Sequence, residues 1–329
     1  MDLVDDRCVV QRNAILHALV READVFLTNL RESTKPKLGI DYETLRQVNP
    51  KLIHANVNGF GPKGPMSDVG GFDPMGQAVS GMMRVTGADE PVVVQMYLLD
   101  QMTAITASHA ILSALVMRDR KGIGQELHVS LYGSATWLMH ANLLTSSILK
   151  QNIKPKWDRN TAPPLRNNFK CQDGKWIMGT NHPDHKYWPV FCEAVGQKQL
   201  ENDPRFATTP LRRANMVELT ALLDKVFVTR PQKEWLQILC DAGLLYAPVQ
   251  EMEDVLQDPQ ALVNGYVVDY DHPSMGKVRI PGYPVNFSTH AAGPHAPAPE
   301  LGEHSMAVLA GLGYTSQDIE RLKAQNVVR

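Results

Sequence analysis

Helical and strand patterns alternate in the N-terminal part of the chain, and this alternation limits the fold more than any other feature. Residues 11–21 carry apolar side chains at helical spacing, and residues 42–48 form a second, shorter helical segment. Each is followed by a short apolar run, at 23–28 and at 52–57, that is typical of a buried strand. Helices that alternate with strands indicate βαβ units and a largely parallel sheet. The predicted fold class is therefore α/β.

The loops after the two predicted strands are the expected place for a ligand. In an open parallel sheet, ligands bind beyond the carboxyl ends of the strands. Asn29 follows the first strand, and the turn Gly59-Phe60-Gly61 follows the second. Glycines let the backbone approach a ligand closely, although a tight turn alone also explains them.

Asp100 stands at the junction between an apolar run, residues 91–99, and a predicted buried helix, residues 101–118. Aspartate is among the commonest N-cap residues, so capping alone explains its position. The unpaired N–H groups and the dipole at a helix start also favour an ionised carboxylate. An ionised, positioned carboxylate is the group that covalent acyl transfer through an anhydride requires. Asp100 is thus a candidate nucleophile, with a purely structural cap as the alternative.

A change in pattern divides the sequence into three predicted parts. Residues 1–150 carry the α/β pattern of a large domain. Residues 151–245 contain a hairpin with Asp173-Gly174 at its turn, followed by three helical segments, which predicts a smaller α+β domain. Residues 246–329 are expected to form a linker and a return to the large domain.

Composition argues against several classes of function. The formal net charge is -2, which gives no electrostatic basis for binding nucleic acid or an anionic membrane. No apolar run reaches the length of a membrane span. The cysteines are widely spaced and form no metal-ligand pattern, as expected of reduced thiols in a cytoplasmic protein. They are Cys8, Cys171, Cys192 and Cys240. The segment His182-Pro183-Asp184-His185 is predicted to begin a helix rather than to bind a metal, so no metal site is expected.

Several short segments, each a weak signal alone, occur together in one order along nearly the whole chain. They are residues 23–31, Gly59-Phe60-Gly61 with Gly64-Pro65, Gly71-Phe72-Asp73, residues 77–83, Thr86-Gly87, Asp100, residues 122–125, residues 202–206 and Gly302-Glu303-His304. In this order they resemble the family III CoA-transferases, the group of carnitine CoA-transferase and formyl-CoA transferase. That group also includes the acyl-CoA racemases. The resemblance makes the catalytic interpretation of Asp100 the favoured one.

The resemblance implies a ping-pong transfer of CoA between two carboxylic acids. Asp100 would attack the thioester of an acyl-CoA donor and form a mixed aspartyl anhydride. The released CoA thiolate would convert this anhydride into an aspartyl-CoA thioester, from which CoA passes to a small carboxylic acid acceptor. CoA and acyl-CoA are then substrates, and no permanently bound cofactor is implied. The resemblance also implies a Rossmann-like large domain and a homodimer whose two chains are interlocked like rings.

The resemblance assigns CoA contacts to the loops after the strands. Asn29, Leu30 and Arg31 match the strand-end motif that contacts CoA in the family. Arg31 could pair with a CoA phosphate, with a solvated surface arginine as the alternative. Lys37 stands where family members often have an arginine near the nucleotide phosphates, and a lysine supplies charge without a bidentate fork. The Gly59-Phe60-Gly61 turn could admit the pantetheine arm.

Phe72 and Asp73 bear on the choice between two branches of the family. Racemases that resemble this chain have a histidine in place of Phe72, and that histidine works with the counterpart of Asp100 as a proton-transfer pair. Phenylalanine has no titratable group and cannot carry a proton. Phe72 therefore favours a transferase, with an acyl-CoA racemase or epimerase as the enzymatic alternative. Asp73 is predicted to brace its loop or else to form a hydrogen bond near the nucleophile.

Family members begin with a Rossmann-like part that has no counterpart in this sequence. That part carries a strand ending in a Gly-Pro turn, a helix and a second strand, and it supplies much of the adenine and pantetheine pocket. The large domain is therefore expected to be incomplete. A misassigned start, a fragment and a natural degenerate paralogue each explain this. The last of these makes a non-catalytic acyl-CoA-binding protein the third functional alternative.

Overall fold

The computed structural model describes residues 6–153, 157–293 and 296–328. The chain divides into two compact units: unit 1 contains Met1–Lys156 and Pro299–Arg329, and unit 2 contains Trp157–Ala298. Unit 2 extends beyond residue 245 because two short helices and a C-terminal hairpin are grouped with it. The three-part division inferred from the sequence concerns folding domains and stays a prediction.

Unit 1 is built on a parallel sheet. Its strands are β1 (Val25–Thr28), β2 (Ile53–Asn58) and β3 (Gln125–Ser130), in the order β1-β2-β3. The register pairs Thr28 with Asn56 and Asn58 with Ser130, so the carboxyl ends of the strands lie along one edge. The α/β class and the parallel sheet expected from the alternating pattern are confirmed.

The helices of unit 1 pack on this sheet and on one another. In chain order they are α1 (Asp6–Glu22), α2 (Lys35–Leu38), α3 (Tyr42–Val48), α4 (Asp73–Ser80), α5 (Leu98–Lys121), α6 (Leu131–Leu138) and α7 (His140–Leu149). Helix α4 approaches α5 and α6 closely at Gly76. A Cβ atom there would lie 2.9 Å from Cδ1 of Leu99 and 3.1 Å from Cβ of Leu131, so glycine allows this contact.

Helix α5 buries only a narrow stripe of its surface. Its buried residues are Leu99, Thr103, Ala107 and Ala114. Other apolar side chains of the same helix are exposed, including Ile105 and Leu112. The prediction of a buried helix after Asp100 is therefore wrong for most of this helix. The neighbouring strands and helices of unit 1 cover one side of it, and the periodicity of apolar residues does not show which sides are covered.

A chain of polar groups, several of them buried, links α2 to strands β2 and β3. Lys35, which is 2% exposed, donates hydrogen bonds from Nζ to Oδ1 of Asn56 at 2.6 Å and to Glu32 at 2.7 Å. The amide of Asn56 donates to Nδ1 of His54 at 3.1 Å and to Glu126 at 3.0 Å. His54 donates from Nε2 to the carbonyl oxygen of Ile40 at 2.8 Å. Burial lowers the pKa of His54, as expected of a neutral ring that donates from one nitrogen and accepts at the other.

Unit 2 is a smaller α+β body around an aromatic core. Its sheet contains β4 (Asn168–Lys170), β5 (Trp176–Gly179) and β6 (Tyr246–Val249), all antiparallel. The predicted hairpin at Asp173-Gly174 is present between β4 and β5. The helices are α8 (Asp184–Ala194), α9 (Thr209–Ala214), α10 (Met216–Phe227), α11 (Gln232–Asp241), α12 (Met252–Gln257) and α13 (Pro259–Val263). A second antiparallel hairpin joins β7 (Val267–His272) to β8 (Gly276–Pro281).

Two cysteines are part of the core of unit 2. Cys171 and Cys192 are buried free thiols, and burial raises their pKa values to about 11 and about 12. Cys240 is free and exposed, and the side chain of Cys8 lies outside the described residues. The two buried thiols are therefore inert nucleophiles at neutral pH.

The C-terminal segment returns to unit 1 with α14 (Ser305–Gly311) and α15 (Ser316–Ala324). The side chain of Arg12 in α1 donates a 2.8 Å hydrogen bond to the carbonyl oxygen of Asn326, which ties this segment to the first helix of unit 1.

Within the described ranges, no helix has both the length and the apolar character needed to cross a membrane.

The stability of unit 2 should depend on Phe227. Its ring stacks on Phe169 at a centroid distance of 4.3 Å, and its carbonyl oxygen accepts a 2.8 Å hydrogen bond from Trp235. We expect Phe227→Ala to lower the free energy of unfolding by about 3–5 kcal/mol, because it opens a cavity in the core. Urea unfolding followed by tryptophan fluorescence measures this. Val217→Ala, at a 63% exposed position of the same helix, is the control and should change it by about 0.5 kcal/mol or less.

Candidate active site

Asp100 lies inside the first turn of α5 and does not cap it. The helix begins at Leu98, and the N-cap position is occupied by Tyr97, whose backbone is left-handed at φ 48°. The side chain of Tyr97 makes no capping hydrogen bond. The alternative in which Asp100 is a purely structural N-cap is therefore wrong, because the helix starts three residues earlier than its apolar pattern indicates.

The cap is supplied by Asp73 from the start of α4. Its Oδ2 atom accepts hydrogen bonds from the backbone N–H of Leu99 at 2.6 Å and of Asp100 at 3.1 Å. Asp73 is 3% exposed, so these bonds form away from water. Of the two roles predicted for Asp73, the structure shows a hydrogen bond near the candidate nucleophile: the carboxylate of Asp73 joins α4 to the backbone of Asp100.

These bonds also limit which backbone groups can stabilise a negative oxygen. The N–H groups of Leu99 and Asp100 are occupied by Asp73, and that of Gln101 donates to the carbonyl oxygen of Tyr97 at 3.0 Å. Three of the first N–H groups of α5 therefore already have partners and are not free to bind a negative oxygen of a substrate.

Gln77, the first residue of the motif at residues 77–83, belongs to the same site, although its sequence position alone predicts no role for it. It is completely buried one turn after Asp73 and donates from Nε2 to Oδ1 of Asp73. The same amide group bonds to both backbone groups of Val94, accepting from N–H at 2.9 Å and donating to the carbonyl oxygen at 3.0 Å. Asp73 and Gln77 are four residues apart, which places them on one face of α4. Two polar residues at this spacing, on the side of a helix that faces the core, are the sequence signal that could have identified Gln77.

The carboxylate of Asp100 differs from that of Asp73 in its exposure and in its hydrogen bonding. It is exposed and makes no hydrogen bond or ion pair with another side chain in the part of the chain that the structure describes. Loss of hydration raises the pKa of Asp100 above its ordinary value of 3.8, and the negative charge of Asp73 raises it further. The sequence-based expectation that the helix start favours ionisation is therefore wrong, because Asp73 occupies the N–H groups and adds a like charge.

The glycine-rich loop after β2 lies against the segment that leads into Asp73. A Cβ atom on Gly71 would sit 2.8 Å from Cα of Gly59 and 3.3 Å from the ring of Phe60, so the two loops touch where both have glycine. The N–H of Gly61 donates to Oδ1 of Asn58 at 2.7 Å, and Tyr132 N–H donates to the carbonyl oxygen of Gly59 at 3.0 Å. The Gly59-Phe60-Gly61 loop and the Gly71-Phe72-Asp73 segment are thus adjacent. Phe72, in the middle of the second segment, is 78% exposed.

The two predicted phosphate-binding cations form a separate group around Asp68. Ser33 donates to Asp68 from N–H at 3.1 Å and from Oγ at 2.7 Å, and these bonds lower the pKa of Asp68. The charges of Arg31 and Lys37 lower it further. The guanidinium group of Arg31 lies 3.1 Å from the position that a Cβ atom on Gly70 would take. Both cations are exposed.

Asn29 and Leu30 follow β1 and are also exposed. The N–H of Leu30 donates to the hydroxyl of Thr28 at 3.2 Å, which turns the chain at the strand end.

In the described parts of the chain, no group of three or more His, Cys, Asp or Glu side chains is placed to hold a metal ion.

The α/β architecture of this chain is shared with a known family of proteins. Residues 9–305 match CoA-transferase family III, and the chain belongs to this family. It is 31% identical over 319 residues to an acyl-CoA transferase of Fusarium pseudograminearum, a match that covers 94% of this chain and 68% of that protein. It is 28% identical to succinyl-CoA:glutarate CoA-transferase of Mus musculus, with coverage of 95% and 72%.

Solved structures agree with this assignment. A CAIB/BAIF family protein from Brucella suis has a TM-score of 0.81 at 30% identity, over 92% of this chain and 78% of that one. A protein from Mycobacterium tuberculosis has a TM-score of 0.77 at 26% identity, over 94% and 82%. The mixed α/β architecture of this chain is therefore the CaiB/BaiF fold.

The charge of Asp73 should be visible in the titration of Asp100. Asp73→Asn keeps an oxygen that can accept from Leu99 and Asp100 but removes the negative charge, so the pKa of Asp100 should fall towards 3.8. Carboxyl 13C NMR of selectively labelled aspartate measures this, with Asp100→Asn to assign the signal. Asp68→Asn is the matched control at the loop cluster and should leave the titration of Asp100 unchanged. An unchanged pKa in Asp73→Asn would contradict the proposed coupling.

Gln77 should control the order of the segment before α5. Gln77→Ala removes the partner of both backbone groups of Val94, so we expect faster hydrogen exchange at Val94 and a loss of about 1–3 kcal/mol in the free energy of unfolding. Gln101→Ala, at an exposed position of α5, is the control and should change neither quantity measurably. Equal exchange rates in the two variants would show that Gln77 does not hold this segment.

Proposed function

We propose that this chain transfers CoA from an acyl-CoA donor to a small carboxylic acid, with Asp100 as the nucleophile. Membership of CoA-transferase family III supports CoA transfer as the reaction class. The observation that carries the residue assignment is the contrast between two neighbouring aspartates. Asp73 is buried and fully bonded, whereas the carboxylate of Asp100 is exposed and unbonded on a backbone that Asp73 holds in place.

In the proposed reaction, an Oδ atom of Asp100 attacks the thioester carbon of the donor, and the C–S bond breaks to release CoA thiolate. The thiolate then attacks the aspartyl carbonyl of the anhydride and releases the donor acid as a carboxylate. The acceptor carboxylate attacks the resulting aspartyl-CoA thioester, which forms a second anhydride and frees the thiolate again. Attack of the thiolate on the acceptor carbonyl gives the product acyl-CoA and restores the Asp100 carboxylate.

Two physical features of Asp100 suit this sequence. A carboxylate is a weak nucleophile, and a raised pKa makes its oxygen more basic. The hydrogen bonds of Asp73 go to backbone N–H groups, so both oxygens of Asp100 are available for bond formation. The backbone is nevertheless positioned, which reduces the entropic cost of bringing the reacting atoms together.

CoA binding is proposed at the edge formed by the loops after β1 and β2. Arg31 and Lys37 are exposed cations in a cluster with Asp68, and they would bind phosphate groups of CoA. Asn29, Leu30 and the Gly59-Phe60-Gly61 loop would line the path of the pantetheine arm towards Asp73 and Asp100. No permanently bound cofactor takes part in this proposal, because CoA enters and leaves as a substrate.

We also propose that the protein acts as a cytoplasmic homodimer. Helices α5, α6 and α7 expose large apolar side chains, which supports a further protein surface against them. Examples are Ile105, Leu112, Trp137 and Ile148. The buried free thiols of unit 2 fit a reducing compartment.

Racemisation is the less supported alternative. Proton exchange at the carbon next to the thioester needs a second titratable group beside the catalytic carboxylate, and Phe72 supplies none. Incubation with an acyl-CoA in deuterated water tests it: we expect no deuterium at that carbon, and incorporation that depends on Asp100 would favour the racemase.

Asp100→Asn should reduce transfer by about a thousand-fold or more, because an amide cannot form the anhydride. Acyl-CoA donors with hydroxylamine should give a hydroxamate on Asp100 in the unaltered chain and none in the variant, as read by peptide mass spectrometry. Asp119→Asn is the matched control at the far end of α5. CoA binding that survives in Asp100→Asn separates lost chemistry from lost folding. If the unaltered, folded chain binds CoA but forms no adduct with any donor, the non-catalytic binding protein is the better description.

A further inference from the structure

A cleft of about 630 Å³ opens on the surface of unit 2. We call it the arginine cleft and define it by its lining, which comes from residues 163–166, residues 180–185 and residues 209–216. Its base contains buried side chains such as Leu165 and Met216, and its rim carries exposed polar ones. The cleft belongs to unit 2 alone and contains none of the residues assigned above to CoA transfer.

The arginines of unit 2 fall into two groups. Five of the seven form ion pairs with carboxylates within the unit. These pairs are Arg159–Asp224, Arg205–Asp203, Arg212–Asp184, Arg230–Glu234 and Arg279–Asp269. The other two, Arg166 and Arg213, have no hydrogen-bond or ion-pair partner for their guanidinium groups among the residues that the structure covers. Both line the arginine cleft.

The base of the cleft fixes a third guanidinium group. Arg212 is 2% exposed and lies over the ring of Trp188 at 4.6 Å. It donates to Asp184 and, at 2.6 Å, to the carbonyl oxygen of Phe206, but its Nε–H has no partner in the described chain. Asp184, the one carboxylate of the lining, also accepts a 2.8 Å hydrogen bond from Thr209. The negative charge of the lining is thus already paired, and two positive charges are not.

The backbone adds to the positive potential. Helix α8 has 11 residues and begins at Asp184, within the lining of the cleft. The N-terminus of a helix carries partial positive charge and free N–H groups, which favour an anion. His182 and His185 stand on either side of this start and are exposed ring donors.

We propose that the arginine cleft is a binding site for an oxyanion, the carboxylate or phosphate group of a small molecule. Arg166 and Arg213 bind its oxygens from the rim, above the fixed guanidinium of Arg212. The planar fork of arginine matches both kinds of oxyanion, and two unpaired forks in one cleft leave ten N–H donors without a protein acceptor. This site requires binding only. Only the identification of the bound carboxylate as that of the acceptor acid rests on the proposed function.

Isothermal titration of the full chain carrying Asp100→Asn tests the site without turnover. The probes are glutarate, inorganic phosphate and the neutral analogue glutaramide. We expect glutarate or phosphate to bind at one site per chain, and glutaramide not to bind. Arg166→Gln and Arg213→Gln should each weaken binding by about ten-fold or more, because each removes a charge-assisted contact. Arg230→Gln, which removes an exposed arginine elsewhere in unit 2, is the matched control and should bind as the parent does.

The outcomes distinguish a carboxylate ligand from a phosphate ligand. They also distinguish a failure of the cleft proposal from a failure of the proposed CoA transfer. Binding of glutarate alone identifies a carboxylate site, and binding of phosphate alone identifies a phosphate site. If neither probe binds to the folded chain, or if both arginine variants bind as tightly as the control, the proposal is overturned. A failure of CoA transfer appears instead in the turnover and trapping assays of the chain with Asp100 intact, and it does not alter the titration.

Discussion

One carboxylate, that of Asp73, determines where α5 begins and what surrounds Asp100. A helix start has several N–H groups without an internal partner, and burying them unsatisfied is costly. Asp73 satisfies two of them from a neighbouring helix, and Gln77 holds Asp73 in turn. A local cap would have been the side chain of Tyr97 or Asp100 itself. The candidate nucleophile is available because a residue 27 positions earlier does the capping.

The sequence predicts the class of this fold well because hydrophobic periodicity is a local property. Alternating helices and strands indicate the parallel sheet of unit 1, and the Asp173-Gly174 turn indicates the β4–β5 hairpin in the antiparallel sheet of unit 2. Asp100 and Asp73 are also recognised from short motifs. Their partnership is not, since a hydrogen bond between residues 73 and 100 leaves no periodic trace in the chain. The sign of the pKa shift of Asp100 is missed for the same reason: it depends on a loss of hydration, and on the nearby charge of Asp73, that arise only on folding.

Burial is the second property that local patterns fail to predict. Lys35 is an ordinary surface residue by composition, yet it is almost completely buried, with its charge satisfied by Glu32 and Asn56. Ile105 and Leu112 show the opposite, since they are apolar and exposed on α5. The arginine cleft combines both effects: Arg212 is buried while Arg213 beside it is exposed. Adjacent residues of identical chemistry differ here only through what the fold places next to them.

The repulsion between Asp73 and Asp100 has a consequence for any covalent state of the enzyme. In the free chain, Asp73 accepts a hydrogen bond from the backbone of Asp100, and its negative charge raises the free energy of the ionised form of the Asp100 carboxylate. An acyl group attached to Asp100 neutralises its charge, whereas the bonds from Asp73 to the helix backbone can persist. In the proposed reaction, acylation thus removes the repulsion between the two side chains. The proposed acylated chain is therefore expected to melt at no lower a temperature than the free chain.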